Sequence, residues 1–220
     1  MELFEIIWKY KEAFLHGLQN TIYICLLVWI IGLTVGFYLG HFANKYKAIG
    51  LSLEWIANII TALPVIVFLF WLHYPLQSLL NIVIDPFVTS VITFSIVNIL
   101  GVANIYRTAI SEFPNQYLLA AQTLGISQKQ FIKKIQFPLI LRSVTPPLLN
   151  LQINILHISL FASFIGVEEI FRMAQRVNAV AYKPVEIYTA LGMFFILICL
   201  PVNLLAKYLH KKYTRDISEK

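Results

Sequence analysis

The chain has 220 residues, of which 59% are hydrophobic and only 13% charged, and its mean hydropathy is +0.74. Soluble domains carry about 25% charged residues, so this composition excludes an ordinary soluble protein and indicates a bilayer as the solvent. The net charge of +6 sits beside apolar stretches, so it indicates membrane topology and no nucleic acid partner.

Five apolar stretches are long enough to cross a bilayer, which takes about 20 residues. They cover residues 21–42, 53–72, 86–106, 144–167 and 187–206. The predicted connections are loops at 44–50, 74–85 and 168–186, and a longer segment at 107–142. We expect Pro64 to be tolerated inside the second helix and Pro146 and Pro147 to open the fourth. The pattern predicts an all-α integral membrane bundle of about five transmembrane helices, forming one domain over residues 1–220.

A face of small residues marks the first predicted helix. Gly32, Gly36 and Gly40 repeat every four residues and therefore lie on one side of it. Such a face allows a second helix to approach closely. That second helix belongs either to the same chain or to another copy of the protein, and the sequence leaves both possibilities open.

The segment 107–142 is polar and reads as two short helices separated by a turn. Gly125 can adopt the left-handed conformation that ends a helix. Ser127 fits the N-cap of a second helix, and Gln130 completes a capping box. Pro138 is expected to end that helix. A structured basic hairpin between spans predicts a docking surface for a soluble partner, and an amphipathic hairpin lying on the lipid surface is the alternative.

This segment resembles the cytoplasmic coupling loop of bacterial ATP-binding-cassette (ABC) importer permeases. That motif reads E-A-A, three residues, G, nine residues, I-x-L-P. The positions that match it without a gap are Ala120, Ala121, Gly125, Ile135 and Pro138. The glutamate of the motif is replaced by Leu119, which removes one polar contact. The resemblance implies that the loop docks on a separate ATPase subunit, which binds ATP and Mg.

Further stretches resemble the polar amino acid branch of that family, the histidine, glutamine and arginine permeases. They are Gly17-Leu18 with Thr21, Thr61 to Pro64, Ser163 to Gly166, Ala174-Gln175, and Pro184 to Tyr188. The resemblance implies the transmembrane domain of a type I ABC importer in a bacterial inner membrane. The implied partners are a second permease subunit, identical or related, an ABC ATPase dimer and a soluble substrate-binding protein.

The distribution of basic residues predicts the orientation. With the amino terminus outside, 12 of the 17 Lys and Arg residues fall in inner segments. The inner segments then carry about +8 and the outer ones about −2, in agreement with the positive-inside rule. This orientation puts the segment 107–142 and the carboxy terminus in the cytoplasm.

Polar side chains at membrane depth are candidates for a substrate pathway, because they are costly in lipid. They are Asn98, Asn104, His157, Ser159, Ser163 and Thr61. The family usually has lysine where this chain has His157 and often glutamate where it has Asn104, so the resemblance implies a less charged pathway. Interhelical hydrogen bonding is the alternative role for each residue. Arg107 either anchors the coupling segment or extends to the membrane interface.

The sequence contains no phosphate-binding loop, nucleophile motif or metal-ligand spacing. We therefore expect no catalytic residue, no metal site and no cofactor bound by this chain. Two alternatives to a permease remain. One is a membrane scaffold that docks an ATPase without transport, and the other is an intramembrane enzyme, for which the spans offer no acid–base pair.

Overall fold

In the computed structural model, which describes residues 2–215, every regular element is a helix. The helices are α1 (Glu2–Lys9), α2 (Lys11–Lys45), α3 (Lys47–Ala62), α4 (Val65–His73), α5 (Pro75–Leu80), α6 (Pro86–Ser111), α7 (Asn115–Thr123), α8 (Gln128–Phe131), α9 (Phe137–Ile158), α10 (Ile170–Ala181) and α11 (Pro184–Arg215). A π-helical turn (Ile132–Gln136) joins α8 to α9, and a 3-10 turn (Ser159–Ile165) follows α9. Within these residues four helical stretches are long and apolar enough to span a membrane, and a pair bent at 63–64 makes a fifth if its two halves count as one span. The predicted all-α membrane bundle is confirmed.

The packing of α2 against α6 forms the centre of the bundle. A Cβ atom added at Gly36 would lie 2.7 Å from the Cβ of Val102, and one at Gly40 would lie 2.7 Å from the carbonyl oxygen of Ala103. The small-residue face therefore packs inside the chain, against α6. Ile24, Phe94 and Ile155 are fully buried around this contact, which joins α2 and α6 to α9.

The predicted second span is not one straight helix. It breaks at Leu63, whose φ of −89° and ψ of 134° are extended, and the two halves meet at an angle of 97°. The residue before a proline is disfavoured in the α conformation, so Pro64 forces this break. The expectation that neighbouring groups would keep the helix continuous through Pro64 is wrong.

The prolines of the fourth span have the opposite outcome. Pro138 was expected to end the coupling helix, yet residues Gln128–Ile165 form one continuous helical stretch of 38 residues. The N–H of Phe137 bonds to the carbonyl of Ile132, and this wider turn accommodates Pro138 in the first turn of α9. Pro146 and Pro147 lie inside α9 and do not open it.

The predicted loops are shorter or more ordered than expected. The connection expected at 44–50 is reduced to Tyr46 between α2 and α3. The helix α5 occupies much of 74–85, and the twelve-residue helix α10 occupies much of 168–186. The first span begins earlier than predicted, because α2 starts at Lys11. The end of the basic tail, from 216 on, lies outside the described residues.

Candidate coupling surface and polar pathway

The turn between α7 and α8 has the predicted conformation. Gly125 has a φ of +69°, which is left-handed. The N–H of Ile126 donates to the carbonyl of Ala121 at 2.9 Å, and the N–H of Gly125 donates to the carbonyl of Gln122 at 3.1 Å. These two bonds form a Schellman motif, which satisfies the free carbonyls at the end of α7.

The start of α8 is closed by the predicted capping box. The N–H of Gln130 donates to Ser127 Oγ, and the N–H of Ser127 donates to Gln130 Oε1, both at 3.4 Å. The end of one helix and the start of the next are therefore both fixed by local hydrogen bonds. Phe131 lies beneath this turn and is buried, which anchors α8 to the bundle.

The hairpin exposes both large apolar side chains and basic ones. Leu119, Leu124 and Ile132 are 61%, 76% and 47% exposed. The exposed lysines beside them are Lys129, Lys133 and Lys134. We call these six residues the coupling surface. An exposed apolar patch with a charged rim is typical of a protein-binding site.

The five motif positions divide between the two sides of the hairpin. Ala120 and Gly125 are exposed, whereas Ala121 is buried. Ile135 and Pro138 are half-buried where the hairpin joins α9. Their contacts with another subunit stay a prediction.

Arg107 is bonded away from the hairpin. Its guanidinium is 3.3 Å from Glu54 Oε2, in an ion pair that links the carboxy-terminal part of α6 to α3. Both side chains are partly exposed, so this pair contributes little to stability. The ion pair orients the Arg107 side chain toward α3 and not toward the hairpin.

Asn98 lies in a reciprocal amide pair at the centre of the bundle. Its Nδ2 donates to Gln152 Oε1 at 3.0 Å and to the Val28 carbonyl at 3.0 Å, and Gln152 Nε2 donates back at 3.2 Å. The pair links α2, α6 and α9, and Asn98 is fully buried. In this structure its polar groups form hydrogen bonds between helices. Gln152 is a partner that the sequence analysis missed.

Three other candidate residues form hydrogen bonds within their own helical turns. Ser159 Oγ donates to the Leu156 carbonyl at 2.8 Å, and Ser163 Oγ donates to the Leu160 carbonyl at 2.7 Å. Thr61 Oγ1 donates to the Ala57 carbonyl at 2.7 Å. The two serines are buried, and Thr61 is exposed just before the break in the second span.

His157 belongs to an exposed polar stripe on α9. Asn150, Asn154 and His157 are all exposed, although they lie within a membrane-spanning helix. Their spacing of four and then three residues puts them on one face. His157 Nε2 is 3.4 Å from Cys199 Sγ on α11. The same spacing in the sequence could have identified Asn150 and Asn154, which the sequence analysis missed.

Asn104 lies apart from this stripe, in the carboxy-terminal half of α6. It lines a cavity of about 430 Å³ between α6, α7 and α9, together with Thr108, Glu112 and Ser143. The structure therefore separates Asn98, His157 and Asn104 into a buried amide pair, an exposed stripe and this cavity.

The buried carboxylate of Glu169 lies at the start of α10, beyond the carboxy-terminal end of α9. Glu169 accepts hydrogen bonds from the N–H groups of Phe171 at 2.9 Å and Arg172 at 2.7 Å, and so caps α10. Burial raises the pKa of this carboxyl to about 7, against the lowering effect of the two N–H groups. Thr21 Oγ1 accepts from the N–H of Ile170 at 3.1 Å, which attaches α10 to α2.

Related proteins match this chain in sequence over nearly their whole length. The glutamine transport system permease protein GlnP of Escherichia coli K12 is 30% identical over 94% of this chain and 95% of its own. The histidine/lysine/arginine/ornithine permease protein HisQ of Salmonella typhimurium LT2 is 22% identical, over 95% and 96%. The arginine permease protein ArtQ of Bacillus subtilis 168 is 25% identical, over 90% and 91%.

Solved structures show the same fold. The crystal structure of an amino acid ABC transporter with histidines has a TM-score of 0.83 at 23% identity, covering 94% of this chain and 96% of the other. The MetNI methionine ABC transporter, in an inward-facing form, has a TM-score of 0.68 at 14% identity, covering 93% and 98%. Residues 32–215 match the family described as "Binding-protein-dependent transport system inner membrane component". The chain therefore belongs to this family, the inner-membrane permease subunits of ABC importers.

Proposed function

We propose that this chain is one of the two permease subunits that form the membrane pathway of an ATP-driven importer for polar amino acids. Family membership supports the permease role, and the relatives are named for glutamine, arginine and histidine-type substrates. A second permease chain, an ATPase dimer and a soluble binding protein complete the transporter. ATP and Mg bind to the ATPase. The family also argues against an intramembrane enzyme.

The coupling surface is the observation that carries this proposal. Its turn is held by a Schellman motif and a capping box, so the exposed residues have a defined shape before any partner binds. Leu119 and Leu124 offer apolar contacts, and the three lysines favour an acidic rim on the ATPase. Because Leu119 stands where the family has glutamate, we expect its ATPase contact to be apolar.

The continuous helix from α8 to α9 supports a mechanical role. A stretch of 38 residues is about 57 Å long at 1.5 Å per residue, and it carries the polar stripe together with Ile132 and the three lysines of the coupling surface. Closure of the ATPase pair would displace α8 and rotate or tilt the stripe with it. This motion gives alternating access without any bond-making chemistry in the permease.

The exposed stripe of α9 is the proposed pathway lining. Asn150, Asn154 and His157 are exposed in the single chain, and lipid is a poor solvent for them. A second permease subunit facing this stripe would enclose a polar route. Its amides and imidazole suit the hydrogen-bonding groups of a polar amino acid. The amino terminus then lies outside and the coupling surface in the cytoplasm.

Affinity purification from native membranes tests the ATPase contact. We expect an ATPase subunit to co-purify with the wild type and to be lost with Gly125→Pro, since proline cannot adopt a φ of +69°. Gly125→Asn is the matched control, because asparagine tolerates the left-handed region. It should retain the ATPase. Wild-type protein that emerges without an ATPase would overturn the proposal.

Uptake separates a transporter from a scaffold. A deletion strain should lose uptake of one polar amino acid, and the wild-type gene should restore it. Intact uptake of every amino acid in that strain, together with a co-purifying ATPase, would instead favour the scaffold.

A further inference from the structure

An apolar groove of about 570 Å³ lies between α1, the first turns of α2, and α11. Its walls are formed by apolar side chains, among them Trp8, Leu18, Ile170, Ala190 and Leu191. Lys11 is the one charged residue among its described lining residues. The groove is distinct from the coupling surface and from the polar stripe.

We propose that this groove binds a phospholipid, with an acyl chain against the apolar walls and the phosphate at Lys11. Like a phospholipid, the groove lining combines one charged position with apolar surface. Lys11 starts α2, and Leu18 lies seven residues further, about 10 Å away along the helix. Along α2 the lining therefore changes from cationic at Lys11 to apolar at Leu18.

The charged end also has the side chains of a membrane interface. Lys11 Nζ is 4.5 Å from the centre of the Trp8 ring. Tryptophan and lysine are favoured at the level of lipid headgroups, where an apolar body meets a polar surface. With the amino terminus outside, the lipid would belong to the outer leaflet.

Packing within the chain holds one wall of the groove in place. Ile6 of α1 is buried in a cluster with Ile170, Ile187 and Leu191. Ile170 and Leu191 also line the groove, so the contact that holds α1 against the bundle supports the groove as well.

Native mass spectrometry of the assembled transporter, purified through a tag on this chain, tests the site. Dioleoylphosphatidylglycerol would be titrated against wild type, Lys11→Gln and Lys9→Gln. Lys9 is the matched control, since it is basic, exposed and two residues away but does not line the groove. We expect Lys11→Gln to weaken binding about fivefold and Lys9→Gln to leave it unchanged.

Two further comparisons separate the headgroup from the chain. Dioleoylglycerol has the same acyl chains but no phosphate, so it should bind wild type only as well as the phospholipid binds Lys11→Gln. Ala190→Trp should fill the groove and remove the lipid. Equal losses in both lysine variants, or lipid retained by an intact Ala190→Trp transporter, would overturn the proposal. Separation of the permease pair in Ala190→Trp would also overturn it and would assign the groove to a second permease chain.

Discussion

At the scale of single residues, the amide pair of Asn98 and Gln152 combines burial with reciprocal hydrogen bonding. Each side chain donates to the other, so truncating one removes a donor and an acceptor from its buried partner. We expect Asn98→Ala and Gln152→Ala each to lower the free energy of unfolding by about 1–2 kcal/mol. Denaturant unfolding of the purified transporter measures this.

The double variant shows whether the pair acts as a unit. Its loss should be smaller than the sum of the single losses, by about 0.6 kcal/mol or more. Asn150→Ala, on the exposed face of α9, is the control and should leave stability unchanged. Strictly additive single effects would contradict the pairing.

Glu169 predicts a pH dependence of stability. The pKa of its carboxyl is about 7 in the folded protein and 4.5 ordinarily, so between these values only the folded state holds the proton. Stability should therefore be highest below about pH 4.5, as far as Glu169 contributes, and should fall as the pH rises through 7. Thermal unfolding of the purified transporter between pH 5 and about pH 8 measures the slope.

Glu169→Gln should flatten this slope, because the amide stays neutral. Glu168→Gln is the control: Glu168 is more exposed and pairs with His16 and Arg176, so its removal should leave the contribution of Glu169 in place. Arg172 is the charged group that acts directly on Glu169. An unchanged slope in Glu169→Gln would mean that other groups produce the pH dependence.

Local conformations were predictable from the sequence where they depend on neighbouring residues only. The conformation of Gly125 and the capping box of Ser127 and Gln130 each depend on a few neighbouring residues, and the structure has both. Gln152 was missed because its partner, Asn98, is 54 positions away. Sequence alone indicates that a buried amide needs a partner, but the packing of α6 on α9 decides which one.

At the scale of helices, the glycine face of α2 predicts sensitivity to a single methyl group. A Cβ at Gly40 would lie 2.7 Å from the carbonyl oxygen of Ala103, which is backbone and cannot rotate away. Gly40→Ala should therefore separate α2 from α6 and lower the free energy of unfolding by about 1–3 kcal/mol. Thermal unfolding of the purified transporter measures the loss.

Gly192 is a matched control in another membrane-spanning helix. A Cβ added there meets no atom within 4 Å, so Gly192→Ala changes helix propensity without a steric clash. It should leave stability unchanged or raise it slightly. If both alanine variants lose stability equally, close packing of α2 on α6 is not the cause.

Prolines show why the positions of the membrane spans were predictable from the sequence, whereas the continuity of the helices was not. Pro64 breaks a span with a bend of 97°, whereas Pro138, Pro146 and Pro147 lie within a continuous helical stretch. Apolar length identifies a span, because the bilayer requires it. Whether proline breaks that span depends on local hydrogen bonding, such as the wide turn before Pro138, which the residue type alone does not specify.

At the scale of the whole molecule, the proposed transport mechanism requires a connection between the coupling surface and the polar stripe. The three lysines and Ile132 of the coupling surface lie on the same continuous helical stretch as the stripe, so we expect a displacement of these residues to move the stripe. The sequence predicted the coupling segment from its motif. It did not predict this continuity, because Pro138 suggested a break where the structure has a π-helical turn.

The polar stripe makes a prediction about water inside the assembled transporter. A thiol reacts with a charged, membrane-impermeant methanethiosulfonate only where water allows it to ionise. Asn154→Cys should therefore be labelled, since we expect Asn154 to line an aqueous pathway. Ile196→Cys, on an exposed apolar face of α11, should face lipid and stay unlabelled. The two native cysteines, Cys25 and Cys199, are buried, so the wild type provides a low background. Labelling of Ile196→Cys with an unreactive Asn154→Cys would reverse the assignment of the two faces and put the pathway at α11.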